Sequence, residues 1–399
     1  MAVAGVALAG WVSCAGGQAV SPSGTRELAV PNQVRQQQAR ARPWGASDLD
    51  QLLINTVPDA RADAGLASAG RELLGRIVEP TAAIDPIAVS RALARAGYPA
   101  PARFVKVLNG GAFPEQIADT VAALSAGAPV DVTLLRRDWS DGTTLWLAGW
   151  APRRAELDPI PLHITLDESV PIRVETEERG QLRLFVSQPN GPVHEFQISG
   201  EASRWVDVFH SPGVYRMEVV AEVHGRARVI LMFAVAVDAT LPPPDHMSET
   251  QLPPADPVAA EARLYALLDE LRLAHGLPSV RQYDTFEPLA REHSAFMAAE
   301  GRLGHVLEGV TPGVAFHADT YAYPKARFFE DVATAHSAEA AHALVVDSPG
   351  HLRNLLCEAC THVSIGVALE PVLDRPPRLF VTWELMEFPH GVPRRMPAR

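Results

Sequence analysis

Positive charge is scarce in this sequence. Lys and Arg number 35 against 47 Asp and Glu, giving a formal net charge of −12. Such a chain is repelled by phosphate backbones and anionic headgroups unless a basic patch intervenes. The most basic stretch, Arg35 to Arg42, lies in Gln/Ala-rich sequence that reads as a solvated tether. Nucleic-acid binding is therefore not expected. Cysteine is scarce too, with three residues in the chain. There is no P-loop, no dinucleotide fingerprint and no Ser/His/Asp order, so the enzyme classes those motifs mark find no support. The apolar run at the start is too short to span a bilayer and has no Lys or Arg before it.

That run, within residues 1–19, has the length of a signal-peptide core and is followed by small residues, which predicts export. Cys14 stands where a lipoprotein carries its lipidated cysteine, with Ser13 before it and small residues after. Trp11 occupies the position where lipoprotein signals prefer Leu. Two readings stay open: a lipid anchor on Cys14, or a free cysteine inside a discarded leader. Export places the body in the periplasm, at the outer membrane or on the cell surface. Residues 20–45, rich in Gln, Arg, Ser, Pro and Gly, read as a disordered tether.

The 34 prolines gather between segments, and 399 residues exceed one ordinary core, so the chain reads as several domains. Residues 46–155 give a small α+β unit. Its helices are signalled by Leu49, Leu52, Leu53 and Val57, by Leu66, Leu73, Leu74 and Ile77, and over Ile87–Ala96 and Pro114–Ser125. A hairpin of Val130–Leu135 and Thr143–Trp150 turns at Ser140-Asp141-Gly142. Residues 160–238 hold seven short runs rich in Val, Ile, Leu and Phe between turn residues, the pattern of an antiparallel, immunoglobulin-like β-sandwich. Alternation such as Tyr215, Met217 and Val219 predicts one buried face per strand. Residues 239–257, with six prolines after Leu241, read as a semi-rigid linker.

The last domain, 258–390, opens with Leu264, Leu267, Leu268 and Leu271 at helical spacing. A second helix runs from Phe286 to Gly301 with His293 on its buried stripe, and a third follows Ser337. Ser348-Pro349 starts one more turn of helix, with Ser at the cap and Pro at the first position. Two apolar strands, His362–Leu369 and Leu379–Leu385, close it. The order indicates an α/β sandwich of αβα type.

Here the sequence resembles the bacterial CAP superfamily of SCP, antigen 5 and pathogenesis-related proteins. The resemblance rests on Ser348-Pro349-Gly350-His351-Leu352-Arg353-Asn354, on Glu330-Asp331-Val332-Ala333, on Gly304-His305 and on Ser364-Ile365-Gly366-Val367-Ala368. It implies that His305, Glu330 and His351 converge in a cleft and can hold a divalent metal such as zinc, with one position open. The family's second Glu, on the preceding helix, has only Asp347 as a stand-in, one methylene shorter. The bland readings are a structural turn at His351 and a Glu330 that accepts backbone hydrogen bonds. His163, His194, His210 and His224 fall on different strands and read as ordinary residues. His317, His336, His342 and His362 have no spacing that forces ligation.

Cys357 and Cys360 admit a redox pair, a zinc site with His351 and His362, or a structural disulfide. The motif follows a helix and precedes a strand, which disfavours the first and leaves the disulfide favoured. Two functions remain. One is an envelope binding module for a lipid, glycan or protein. The other is a metal-dependent hydrolase with Glu330 as general base beside His305 and His351. A module without enzymatic activity is favoured, because no nucleophile motif or dedicated oxyanion donor is present.

Overall fold

The computed structural model describes residues 6–7, 48–80, 82–108, 113–125, 129–178, 180–200, 202–223, 226–245, 247, 256–305, 326–370 and 377–389. Cys14, the tether, His224, His317 and most of the proline-rich stretch lie outside them. Among the described residues no helix is long and apolar enough to cross a membrane.

The first unit runs β1 (Val6–Ala7), α1 (Asp48–Thr56), β2 (Ala60–Ala62), α2 (Ala64–Arg76), α3 (Pro86–Ala96), β3 (Arg103–Leu108), α4 (Phe113–Ser125), β4 (Val130–Asp138) and β5 (Thr144–Pro152). Its helices begin and end where side chains satisfy free backbone groups. Asp63 accepts from the Leu66 N–H and Asp85 from the Ile87 N–H, and Gly97, at φ 65°, closes α3 in the left-handed region. Strand order is β1-β3-β5-β4-β2. One face packs Leu66, Leu73 and Val89 of α2 and α3 over Phe104, Leu145 and Leu147. The other packs Leu53 and Val121 of α1 and α4 over Val132, Trp146 and Trp150.

The central unit contains β6 (Ala155–Leu157), β7 (His163–Ile164), β8 (Val170–Ile172), β9 (Val174–Thr176), β10 (Gln181–Ser187), β11 (Val193–Ile198), β12 (Arg204–Val206), β13 (Gly213–Val223) and β14 (Arg226–Val237). A five-stranded sheet, β11-β10-β13-β14-β7, stands beside the pairs β12-β8 and β6-β9. The pairing is antiparallel except that β7 runs parallel to β14, a departure from the all-antiparallel expectation. Tyr215, Met217, Val219 and Ala221 enter the core of this unit. The alternation predicts solvent for the opposite face of β13. There, instead, Glu218 and Val220 are fully buried.

The proline-rich stretch does not run free at its start. Leu241 and Met247 are buried, Met247 exchanges backbone hydrogen bonds with Arg76 and Val78, and Arg91 pairs with Asp245 at 2.7 Å. Met247 packs on the first unit and Leu241 against Ala234 and Ala236 of the central one, and that burial gains more than extended chain gains in water.

The last unit runs α5 (Pro257–Ala274), β15 (Arg281–Gln282), α6 (Glu287–Glu300), β16 (Arg327–Ala335), α7 (Ala338–Asp347), α8 (Pro349–Leu355), β17 (His362–Leu369) and β18 (Leu379–Glu387). Sheet order is β15-β17-β18-β16, so β16 is an edge. Leu264 and Leu268 of α5 and Ala341 and Val345 of α7 cover one face, and Met297 and Ala298 of α6 the other. The α6 backbone lies so close to β17 that a Cβ on Gly366 would stand 2.2 Å from Ala290 C.

The two outer units share one topology. β2 pairs parallel with β4 as β15 does with β17; β4 with β5 and β17 with β18 form hairpins; β3 and β16 add antiparallel to the second hairpin strand. Matching the hairpin ends sets Asp138↔Thr144 on Leu369↔Leu379, and it also sets Arg61↔Asp131 on Arg281↔His362. Helices cover both faces in each.

Candidate functional site

Consecutive residues on a strand face opposite sides, so edge strand β16 offers Glu330 to the α6 side and Asp331 to the α8 side. His305, just past α6, meets Glu330: its Nδ1 lies 2.6 Å from Glu330 Oε1. A carboxylate only accepts, so the proton sits on Nδ1 and Nε2 is the free nitrogen. His293 of α6 donates through Nε2 to the Gly304 carbonyl at 3.0 Å, holding the turn that carries His305, and stands 3.8 Å from Glu330 Oε1. Burial pushes the Glu330 carboxyl upward. The hydrogen bond from His305 and the His305 and His293 charges outweigh it, holding the group below its ordinary value.

On the other side of β16, Asn354 of α8 donates to Asp331 Oδ1 at 2.8 Å. Burial, with the Glu330 and Glu218 charges added, pushes Asp331 well above the usual carboxylate range despite that bond. His351 lies one turn before Asn354, nearly buried. Burial and the neighbouring His305 charge bring its pKa down to about 3, so its imidazole is neutral. His305 and His351 thus belong to different helical layers, and the link between them is the influence of His305 on the His351 imidazole.

Nε2 of His305, Nε2 of His351 and Oε2 of Glu330 are buried without a hydrogen-bond partner in the protein, as are Nδ1 of His293 and Oδ2 of Asp331. Buried polar atoms without partners are uncommon, and they concentrate where something else binds.

Asp347 does not join this group. It ends α7 turned toward the central unit, where it pairs with Arg216 at 2.9 Å. Burial raises its pKa against the pull of that arginine. Glu384 joins instead. It is the cross-strand partner of Glu330, fully buried, and hydrogen-bonded to it. A lone carboxylate inside the apolar run Val381–Met386 is the sequence signal that marks it. Cys357 and Cys360 are bonded to each other, with Cα atoms 5.3 Å apart. The nearby His362 contacts Thr361 Oγ1 at 2.8 Å and packs its ring against Tyr283 and Phe388.

The family model for the cysteine-rich secretory protein family, CAP, matches residues 265–382. The C-terminal third is a CAP domain. Among solved structures, an outer surface protein from Borrelia burgdorferi is 22% identical, covering 33% of this chain and 95% of its own, at a TM-score of 0.28. An extracellular protein containing an SCP domain from Bacillus anthracis is 17% identical over 44% of this chain and 65% of its own, at 0.29. A cysteine-rich secretory protein from Staphylococcus aureus is 11% identical over 67% and 91%, at 0.25. Superpositions this loose carry no detail from those proteins to this one. No curated protein matches the chain.

The resemblance to CAP proteins implies a divalent metal on His305, Glu330 and His351. The donors do not fit one. Asp347 is turned to Arg216, and among the described residues no three His, Cys, Asp or Glu side chains are arranged to hold a metal ion. The same register in the first unit places Phe104 where Glu330 stands and Gly149 where Glu384 stands. A Cβ on Gly149 would sit 2.5 Å from the Phe104 ring, so an aromatic plug fills the position that holds acids in the CAP domain.

A different apolar cavity of about 40 Å³ lies between α3, β14 and Asp347, away from these imidazoles. The unpartnered polar atoms, not that cavity, define the candidate site, because recognition needs directional groups.

Proposed function

We propose that the protein is an exported binding module whose CAP domain receives the polar group of a small ligand between His305, Glu330 and His351. The observation that carries this reading is the pair of buried imidazole Nε2 atoms without protein partners beside an ionised carboxylate. Nε2 of His305, Nε2 of the neutral His351 and Oε2 of Glu330 are left to hydrogen-bond a ligand. The matching ligand carries adjacent hydroxyls, which both donate and accept, as a sugar or a hydroxylated lipid headgroup does.

Export is supported by the N-terminal leader pattern and by the Cys357–Cys360 disulfide, a bond that persists in oxidising compartments. The Val6–Ala7 pairing with β3 is short enough for the sheet to survive leader removal. The central unit, with its five-stranded sheet facing two short pairs, is read as an immunoglobulin-like sandwich.

The test is calorimetric titration of the full mature chain with envelope glycans in one arm and lipid micelles in the other. Binding in one arm, lost in a His305→Ala/His351→Ala double variant that still folds, is the expected result. Silence in both arms removes the reading. Stoichiometric zinc in the wild type, lost in the double variant, would replace it with the hydrolase.

A further inference from the structure

Ser348 stands at the start of α8, yet its hydroxyl makes no bond to its own helix. It donates instead to Oε2 of Glu218, at 2.6 Å, across to the central unit. The Gly350 N–H, one of the unpaired donors of the first helical turn, points to the same oxygen at 3.4 Å. Glu218 is fully buried in the middle of β13, between Phe185 on β10 and Met232 on β14. Its neighbours in the junction repeat the grip on both ends of α8. Arg216 pairs with Asp347 at 2.9 Å just before the helix, and Arg353 within it pairs with Glu195 at 3.0 Å while lying 5.5 Å from the Phe185 ring. On the other side of α8, Asp331 holds Asn354. The helix that carries His351 is therefore clamped between the CAP sheet and the central sheet.

A buried carboxylate with one oxygen satisfied and Oε1 without a partner is a costly thing to place in a junction between two units. An apolar residue would dock the surfaces more cheaply. What the carboxylate adds is direction: one oxygen fixes both a hydroxyl and a backbone N–H, and so fixes the rotation and depth of the turn immediately before His351.

We infer that Glu218, supplied by the central unit, is a positioning residue of the CAP site, setting His351 through Ser348 and Gly350 so that the site is complete only with the two units docked. It rests on the reading of His305, Glu330 and His351 as the working site, but its test needs no ligand. The central unit is then part of the binding machinery and not a passive spacer.

The experiment uses the full mature chain labelled at histidine, with the His351 ring signals followed by NMR at fixed pH beside thermal unfolding. Glu218→Ala is expected to shift and broaden the His351 signals while leaving those of His210, which is exposed and paired with Asp167, in place. Glu218→Gln, whose side-chain oxygen still accepts from Ser348 and Gly350, is expected to restore the wild-type His351 signals. If Glu218→Ala does not fold, Ser348→Ala removes the same bond from the other side and is expected to give the same shift. An unmoved His351 in a folded Glu218→Ala or Ser348→Ala chain overturns the inference, whatever happens to stability. So does a Glu218→Gln chain that behaves like Glu218→Ala. Because the readout is a ring signal, a failed ligand search leaves it intact, and a failed shift leaves the ligand search standing.

Discussion

His305 Nδ1 and Glu330 Oε1 lie 2.6 Å apart with both side chains nearly withdrawn from solvent. The acid fixes the tautomer and the ring direction, so the free Nε2 has one orientation to offer. Removing the acid leaves a buried imidazole pair without its counter-charge. Glu330→Ala is expected to destabilise the chain by about 3 to 5 kcal/mol, the range for breaking a buried pair from one side. Glu330→Gln keeps shape and one acceptor and is expected to cost less. Chemical denaturation of the two variants checks the order; equal losses would mean that the charge is immaterial.

Glu218 makes stability depend on pH. Burial raises its pKa from 4.5 to about 7, against the bonds from Ser348 and Gly350. A carboxyl that binds its proton more tightly when folded favours the folded state below the unfolded value, and that advantage is lost as pH rises through the folded one. The wild type is therefore expected to lose stability between pH 4.5 and 7 relative to Glu218→Gln, which does not titrate. The difference is on the order of 3 kcal/mol. The Glu218 charge helps to raise Asp331, but Asp331 remains in both chains, so the comparison isolates position 218 apart from that influence. Parallel melting curves at pH 5 and pH 8 read it. A wild type that gains on the variant toward pH 8 would reverse the sign.

The helices were legible because their buried positions recur at helical spacing, as at Leu66 and Leu73 or Leu264 and Leu268, and because Ser337 and Gly301 mark the start of α7 and the end of α6. The CAP motifs were legible as short local runs, and His305 and Glu330 do meet. Glu218 was not, since strand alternation assigns it to solvent. It is buried because a helix 130 residues downstream docks over it. Asp347 was misplaced for the matching cause: its neighbours in sequence point to the cleft, while its partner, Arg216, comes from another unit. Strand β16 escaped notice because Phe328, Phe329, Glu330 and Asp331 carry no period-2 alternation, both acids being buried on opposite faces of an edge.

Arg272, fully buried at the end of α5, donates to the Leu355 carbonyl at 2.7 Å, to Cys357 at 3.1 Å and to Pro278 at 3.0 Å. It ties the loop after α8 more firmly than the adjacent disulfide does. A bridge between residues three apart closes a very short loop, worth about 2 kcal/mol by chain entropy. Losing Arg272 strands the buried Leu355 carbonyl, at roughly 1 to 3 kcal/mol, together with two part-buried carbonyls and the packing of a fully buried side chain. Arg272→Ala is thus expected to cost more than reduction of Cys357–Cys360. Urea titrations of the oxidised, reduced and variant chains rank them, and a larger loss on reduction would contradict this account.

Gly366 and Gly149 offer a comparison between the two outer units. Both lack room for a Cβ, but against different neighbours. At Gly149 the atom in the way is the Phe104 ring, at 2.5 Å, which can turn at the cost of repacking. Overpacking of that kind costs about 1 to 3 kcal/mol. At Gly366 the obstacle is the α6 backbone, Ala290 C and Arg291 N at 2.2 Å, and a helix cannot move aside without breaking the Ser294 Oγ bond to the Gly366 carbonyl at 2.9 Å. Gly366→Ala is therefore expected to unfold the CAP domain or lower its melting point well beyond the effect of Gly149→Ala. Because α6 also carries His293, the variant should disturb the His305 ring signals too. Equal melting losses, or a Gly366→Ala chain with native His305 signals, would show that α6 does not lie against β17 as described.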